Sequence, residues 1–166
     1  MKQEKVIELL DLFEANGIDV VVDGGWSVDA LLGKQTREHN DLDLAVDRKQ
    51  AKKLREVLSA HGYQEKRRDG EDNPVLVDGD GNEIDIHIFE FDEENNNIYG
   101  IEYPYESLRG TGTIGDRTVK CITPKYMIEF IAEWVHKWPQ KYAKAIPALC
   151  EKYDIPLPDE YKKLQK

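Results

Sequence analysis

This sequence predicts a mixed fold of the α/β (α+β) class: a twisted mixed sheet carrying a set of carboxylates, helices packed on it, and a small helical segment at the C-terminal end. Three observations lead there. The β-branched run Asp19-Val20-Val21-Val22 stops at Asp23-Gly24-Gly25 and gives way to a helical period. Two later segments, 41–46 and 83–91, alternate apolar and polar residues with the period of a pleat. Between them, residues 48–61 carry helical spacing over a length suited to a crossover.

Taken in order, Val6, Leu9, Leu10 and Phe13 form one stripe of an opening helix, which Asn16-Gly17 closes. After the glycine pair, Trp26, Val28, Leu31 and Leu32 make a short helix ending at Gly33. In Asp41-Leu42-Asp43-Leu44-Ala45-Val46 the pleat sends Leu42, Leu44 and Val46 to one face and Asp41, Asp43 and Ala45 to the other. The next helix places Ala51, Leu54, Val57, Leu58 and His61 inward and ends at Gly62. Val75-Leu76-Val77 and the strand from Ile84 to Phe91 flank Asp78-Gly79-Asp80-Gly81-Asn82, whose Asp-Gly pairs suit a hairpin. Residues 92–105 read as an acidic, Tyr-rich surface loop with room for a short element, and 110–122 as a second hairpin. Thr123-Pro124 opens a helix with Ile128, Ile131, Trp134 and Val135 inward, interrupted at Pro139. One further helix, 139–153, and an extended strap, Ile155-Pro156-Leu157-Pro158, are expected before the terminal residues.

Composition narrows the function. With 166 residues, 40% of them hydrophobic, one core is expected. An excess of 33 acidic over 23 basic side chains, a net charge of −10, disfavours nucleic acid and anionic membranes as partners. Two cysteines, Cys121 and Cys150, with no secretory or membrane-spanning run, suggest reduced thiols and a cytoplasmic location.

The chemistry concentrates at the glycine turn and the alternating strands. Gly24 and Gly25 lack Cβ atoms where a helix begins, so backbone N–H groups can approach an anion such as phosphate. Asp41 and Asp43 project from one strand face with Cα atoms roughly 6.5 Å apart. Asp85 stands in Ile84-Asp85-Ile86-His87, where the flanking isoleucines turn it to the opposite, polar face. Three hard carboxylates without a neighbouring cysteine suit Mg²⁺ over Zn²⁺.

Val22-Asp23-Gly24-Gly25-Trp26-Ser27-Val28-Asp29-Ala30-Leu31-Leu32-Gly33, then Thr36-Arg37-Glu38-His39-Asn40-Asp41-Leu42-Asp43, then Asp85-Ile86-His87, resembles the small antibiotic nucleotidyltransferases, lincosamide nucleotidyltransferases and aminoglycoside 2''-adenylyltransferases among them, of the DNA polymerase beta-type superfamily. The resemblance extends over roughly residues 5–158. It implies a nucleotidyltransferase core, 1–122, and a C-terminal helical segment, 123–166, within the same compact unit. It implies that Gly24 and Gly25 hold the triphosphate of ATP or another nucleoside triphosphate, with Trp26, Arg37 and His39 on the nucleotide side. Asp41, Asp43 and Asp85 would bind one or two Mg²⁺ ions, and Asp85 would take the acceptor proton as general base if burial or like charges raised its pKa. The reaction implied is transfer of a nucleoside monophosphate, AMP first, to a hydroxyl of a small molecule of the aminoglycoside or lincosamide kind. The alternatives are modification of a protein partner, as by antitoxin-like relatives, and an idle nucleotide sensor. Around Glu133-Trp134-Val135-His136 and Tyr142-Ala143-Lys144-Ala145 the chain departs from the family pattern, where the resemblance would place acceptor contacts.

Other signals are weaker. Asp78-x-Asp80-x-Asn82 opens like a calcium loop but has Glu83 and Phe89 at the positions that need glycine and glutamate. Gly110-x-Gly112-x-x-Gly115 spells a dinucleotide fingerprint, yet a β-pattern follows it, so it reads as a glycine-rich loop. His39 either touches the site or closes its loop, and His87 is either site-lining or structural. Trp134, Trp138, Tyr142 and Tyr153 supply aromatic surface for the monomer core or for a homodimer that places C-terminal helices near the partner's active site.

Overall fold

The computed structural model describes residues 1–163. The chain runs α1 (Gln3–Ala15), β1 (Val20–Val22), α2 (Gly24–Leu32), β2 (Asp41–Asp47), α3 (Arg48–Ala60), β3 (Gln64–Arg68), β4 (Pro74–Val77), β5 (Glu83–Phe91), β6 (Asn97–Gly100). A 3₁₀ turn (Tyr105–Arg109), β7 (Gly110–Ile114), β8 (Arg117–Cys121), α4 (Pro124–Trp134), α5 (Pro139–Tyr142), α6 (Ala145–Tyr153) and α7 (Asp159–Lys163) follow. The strands form one mixed sheet in the order β3-β4-β5-β2-β1-β8-β7, with β6 added on β5.

The alternation read from the sequence sorts the two sheet faces as expected. Leu42, Leu44, Val46, Ile84, Ile86 and Ile88 are buried in the core, against which α2 and α3 pack. Fully burying each such aliphatic side chain contributes about 1.5–3 kcal/mol, so this row of six fixes which face is left for the carboxylates. Because β2 and β5 run parallel with Asp43 opposite Asp85 and Ala45 opposite His87, the polar residues of both strands emerge side by side on the other face.

Both hairpins form. In the first, Asp78 Oδ1 accepts from the amides of Asp80 and Asn82 at 3.0 and 2.9 Å, which closes the β4–β5 connection as a turn. In the second, Gly110 and Gly112 belong to β7, paired residue by residue with β8, so the glycine-rich loop expected there is a strand with only Gly115 in its turn.

One strand is new and three further expectations change. Gln64–Arg68 forms β3, an exposed edge strand made entirely of polar and charged residues, which no apolar period announces. His61 lies outward and bonds the Val57 carbonyl at 2.8 Å instead of entering the core. The single helix expected over 139–153 is broken between α5 and α6, since Pro147 has no amide to donate and its ring excludes the carbonyl four residues back, at Ala143. Trp134 is 49% exposed although it follows Met127 and Ile131 at helical spacing on the same side, because it is the last residue of α4, where that side is left uncovered. Pro124 takes the first helical position as expected, while Thr123 makes no side-chain cap and instead ties its amide to Ser107 O at 2.8 Å. The strap 155–158 is extended, and α7 follows it; the last three residues lie outside the described part.

Candidate active site

A cavity of about 380 Å³ opens where the N-terminus of α2 meets the polar face of the sheet. One wall carries Gly24, Gly25, Arg37, Asp41, Asp43 and His87; the other is apolar and aromatic, with Met127, Phe130, Ile131, Trp134 and Tyr142. Glu102, Glu133 and Lys141 stand at its polar positions. The two walls come from different parts of the chain and meet only in the folded molecule.

Asp23 starts α2 by capping it, its Oδ1 accepting from the Gly24 amide at 2.6 Å. Gly24 has φ +57°, and a Cβ there would fall on the Asp43 carboxylate; a Cβ on Gly25 would run into the His39 ring and lie 2.6 Å from Arg37 Nη2. The glycines are therefore required by close packing of the carboxylate and the loop onto the helix start, which leaves that helix end open toward the cavity.

Asp43, Asp85 and His87 offer ligand atoms that all lie within 4.8 Å of one another. Asp41 is two residues along the same strand face. Asp85 lies next to the cavity-lining Asp43 and His87, its side chain partly exposed, where Asn73 Nδ2 donates to its carboxylate and also to Ile86 O at 3.2 Å. His87 lies between two acids: Nδ1 is 3.2 Å from Asp23 Oδ2 and Nε2 is 3.5 Å from Asp85 Oδ1. Tyr103 completes the chain, donating its hydroxyl to Asp23 Oδ2 at 2.5 Å and lying 2.8 Å from His87 Nδ1.

This crowding sets the protonation states. Burial, and next to it the charge of Asp41, push the Asp43 carboxyl up to about 7, although His87 works in the other direction. Burial would raise Asp85 as well, but the hydrogen bond and charge of His87 and the Asn73 amide outweigh it and hold Asp85 below the usual carboxylate range. The like charges that were to raise Asp85 thus act on Asp43 instead. Burial favours neutral His87, and the Asp23 and Asp85 carboxylates overcome that to hold its pKa well above the ordinary value. The result is a carboxylate cluster with the His87 cation inside it, whose remaining repulsion a divalent cation would relieve; the oxygen-rich donor set fits Mg²⁺.

The remaining expected site residues divide. Arg37 reaches the cavity, whereas Trp26, 1% exposed, and His39, 3% exposed, lie beneath it, with ring centroids 4.6 Å apart. His39 closes its loop on Asp29, Nε2 to Oδ2 at 2.5 Å. Tyr103 and Asn73 were not legible as site residues: each lies outside the alternating strands. Asp23 was visible in the sequence as the polar residue just before a helix start.

A family model described as aminoglycoside-2''-adenylyltransferase matches residues 5–142. The chain belongs to this family. It is a nucleotidyltransferase. A lincosamide resistance protein of Staphylococcus haemolyticus is 29% identical over 133 residues, 77% of this chain and 83% of that relative. In fold, this adenylyltransferase-family chain is similar to the lincomycin-bound lincosamide antibiotic adenylyltransferase LnuA, with a TM-score of 0.74 at 24% identity, covering 94% of this chain and 99% of that one. It is similar as well to ANT(2'')-Ia in complex with adenylyl-2''-tobramycin, with a TM-score of 0.76 at 20% identity, covering 99% and 98%. No helix among the described residues is long and apolar enough to cross a membrane.

Proposed function

We propose that this enzyme transfers AMP from ATP, in the presence of Mg²⁺, to a hydroxyl of a small amine-bearing antibiotic of the lincosamide or aminoglycoside kind. The observation that carries the reading is the meeting of Asp43, Asp85 and His87 beside an open helix N-terminus, at the edge of a cavity that Asp43 and His87 line and whose far wall is aromatic. Asp41, Asp43 and Asp85 would hold Mg²⁺, which when bound supplies the neutralising charge that transfer of the nucleotidyl group from pyrophosphate to a hydroxyl needs.

This chain's own residues do the rest. The Gly24–Gly25 turn presents backbone N–H groups to the triphosphate, and Arg37 adds a fixed cation beside it. The acceptor oxygen bonds to the α-phosphorus as the bond to the pyrophosphate oxygen breaks. The acceptor proton passes to the Asp85 carboxylate, which its His87 and Asn73 contacts keep ionised and oriented. Its low basicity places that proton transfer late, after the new P–O bond has begun to withdraw electrons from the hydroxyl oxygen. Phe130, Trp134 and Tyr142 give the acceptor an apolar platform, and Glu102 and Glu133 offer charge for its amine.

On this reading residues 1–122 are the catalytic core and 123–166 the acceptor-side segment, working in the cytoplasm. The exposed indoles of Trp134 and Trp138, 49% and 45% exposed, support a homodimer built across these helices. Incubating the enzyme with ATP, Mg²⁺ and a panel of lincosamides and aminoglycosides, followed by mass spectrometry, tests the function. A product heavier by one AMP is expected with a member of that panel and not with Asp41→Asn; unmodified acceptors throughout would overturn the assignment.

A further inference from the structure

Beneath the cavity, Asp29 is a carboxylate 2% exposed and served entirely by one short loop. Its Oδ1 accepts from the Thr36 amide at 3.0 Å and from the Thr36 hydroxyl at 2.5 Å, while Oδ2 meets His39 Nε2 at 2.5 Å. An ionised carboxylate out of water is costly unless its lone pairs are used, so these three contacts are held together strongly. Asp29 lies four residues after Gly25 on α2, hence on the same side of the helix, one turn below its open end.

The two tethered residues flank Arg37. With Thr36 and His39 both pinned, the backbone of Arg37 has little freedom, and its guanidinium lies over Gly25: Nη2 is 2.6 Å from where a Cβ on that glycine would be, and Nη1 donates to Glu38 O at 2.9 Å. The His39 ring is pressed on the same glycine, its Nδ1 buried without a hydrogen-bond partner among the described residues. Nothing in this arrangement touches the reacting atoms.

We infer that Asp29 is a positioning residue of the nucleotide site: acting through Thr36 and His39, it holds Arg37 at the helix start where the triphosphate binds. The inference rests on the nucleotide-binding reading of that turn proposed above. A buried acid that served stability alone would lower the unfolding temperature when replaced, and would leave the affinity of the folded protein for nucleotide unchanged.

Calorimetric titration with ATP and Mg²⁺, without acceptor, separates these roles. Arg37→Ala is expected to weaken ATP binding about tenfold, a typical loss for a charge-assisted contact. Asp29→Asn should weaken it by about the same factor, and the double variant should be no weaker than Arg37→Ala alone, because both remove one contact. Losses that multiply in the double variant, or an Asp29→Asn affinity within twofold of wild type, would overturn the proposal. Should Asp29→Asn fail to fold, Thr36→Val removes one tether and keeps the buried charge: a roughly threefold loss that vanishes in the Arg37→Ala background is expected, and unchanged affinity overturns the idea. If the wild-type protein itself binds no ATP, the reading of the whole site falls with it; if wild type binds and only the coupling is missing, Asp29 alone is misassigned.

Discussion

The two walls of the cavity are built in different ways. On the sheet side, Tyr103, Asp23, His87 and Asp85 are linked into one chain of polar contacts with the Asp43 carboxylate close beside it, next to strands whose other face is core. On the helical side, Trp134, Trp138 and Tyr142 stand near the break between α4 and α5, and the exposed indoles are attended by the flexible cations Lys137 and Lys141. The first wall cannot move one group without disturbing the others, while the second can change a side chain without reaching the sheet. On the proposed function, reaction type would reside in the linked wall and acceptor choice in the adaptable one.

The largest effect is expected at the centre of the linked wall. Asp43→Asn should cut turnover more than about a hundredfold, roughly 2.7 kcal/mol, with the fold retained. The same variant should unfold at a higher temperature than wild type when no metal is present. Because folding raises the Asp43 pKa to about 7, its contribution to stability is complete below the unfolded carboxylate value and is lost as pH rises through the folded one. The melting-temperature gap between variant and wild type should thus open between about pH 4 and pH 7, and Mg²⁺ should close it by stabilising wild type alone. A gap that does not depend on pH would break the account of the carboxylate cluster.

One step out, Asp85→Asn should lower turnover about tenfold to a hundredfold while ATP affinity stays within a few-fold, the pattern of a group used for the acceptor proton. Collapse of ATP affinity would instead make Asp85 chiefly a metal ligand. The smallest effect is expected on the helical wall. Trp134→Ala should raise the acceptor KM about threefold to tenfold, leave the ATP KM unchanged and hardly alter the melting temperature, since the indole is half exposed. Sedimentation equilibrium at micromolar concentration tests the dimer: twice the chain mass of 19.2 kDa is expected, and a monomer unmoved by Mg²⁺ and ATP would remove the shared surface from the picture.

What could be read without the structure was local. Alternation in 41–46 and 83–91 determined which side of each strand carries acids, because a pleat has period two and the apolar set must be buried. Asp23-Gly24-Gly25 marked the passage from strand to helix, because the β-branched run stops there and a helical period begins. The break before α6 was missed: the helical period over 139–153 reads as one helix, although Pro147 carries the signal that interrupts it.

Tertiary structure alone decided what these local pieces meet. The β2–β5 register sets Asp43 opposite Asp85, and neither strand encodes that pairing by itself. Tyr103 reaches Asp23 across 80 positions of chain, and Asn73 comes to Asp85 from a loop without periodic pattern. The acid whose pKa is raised is likewise a matter of assembly, since His87 shields Asp85 while Asp41 crowds Asp43. Trp26 and Trp134 show the same division: both follow a helical period in the sequence, yet one is sealed in the core and the other faces solvent. Periodicity specifies a side of a helix, and only the packed neighbours determine whether that side is covered.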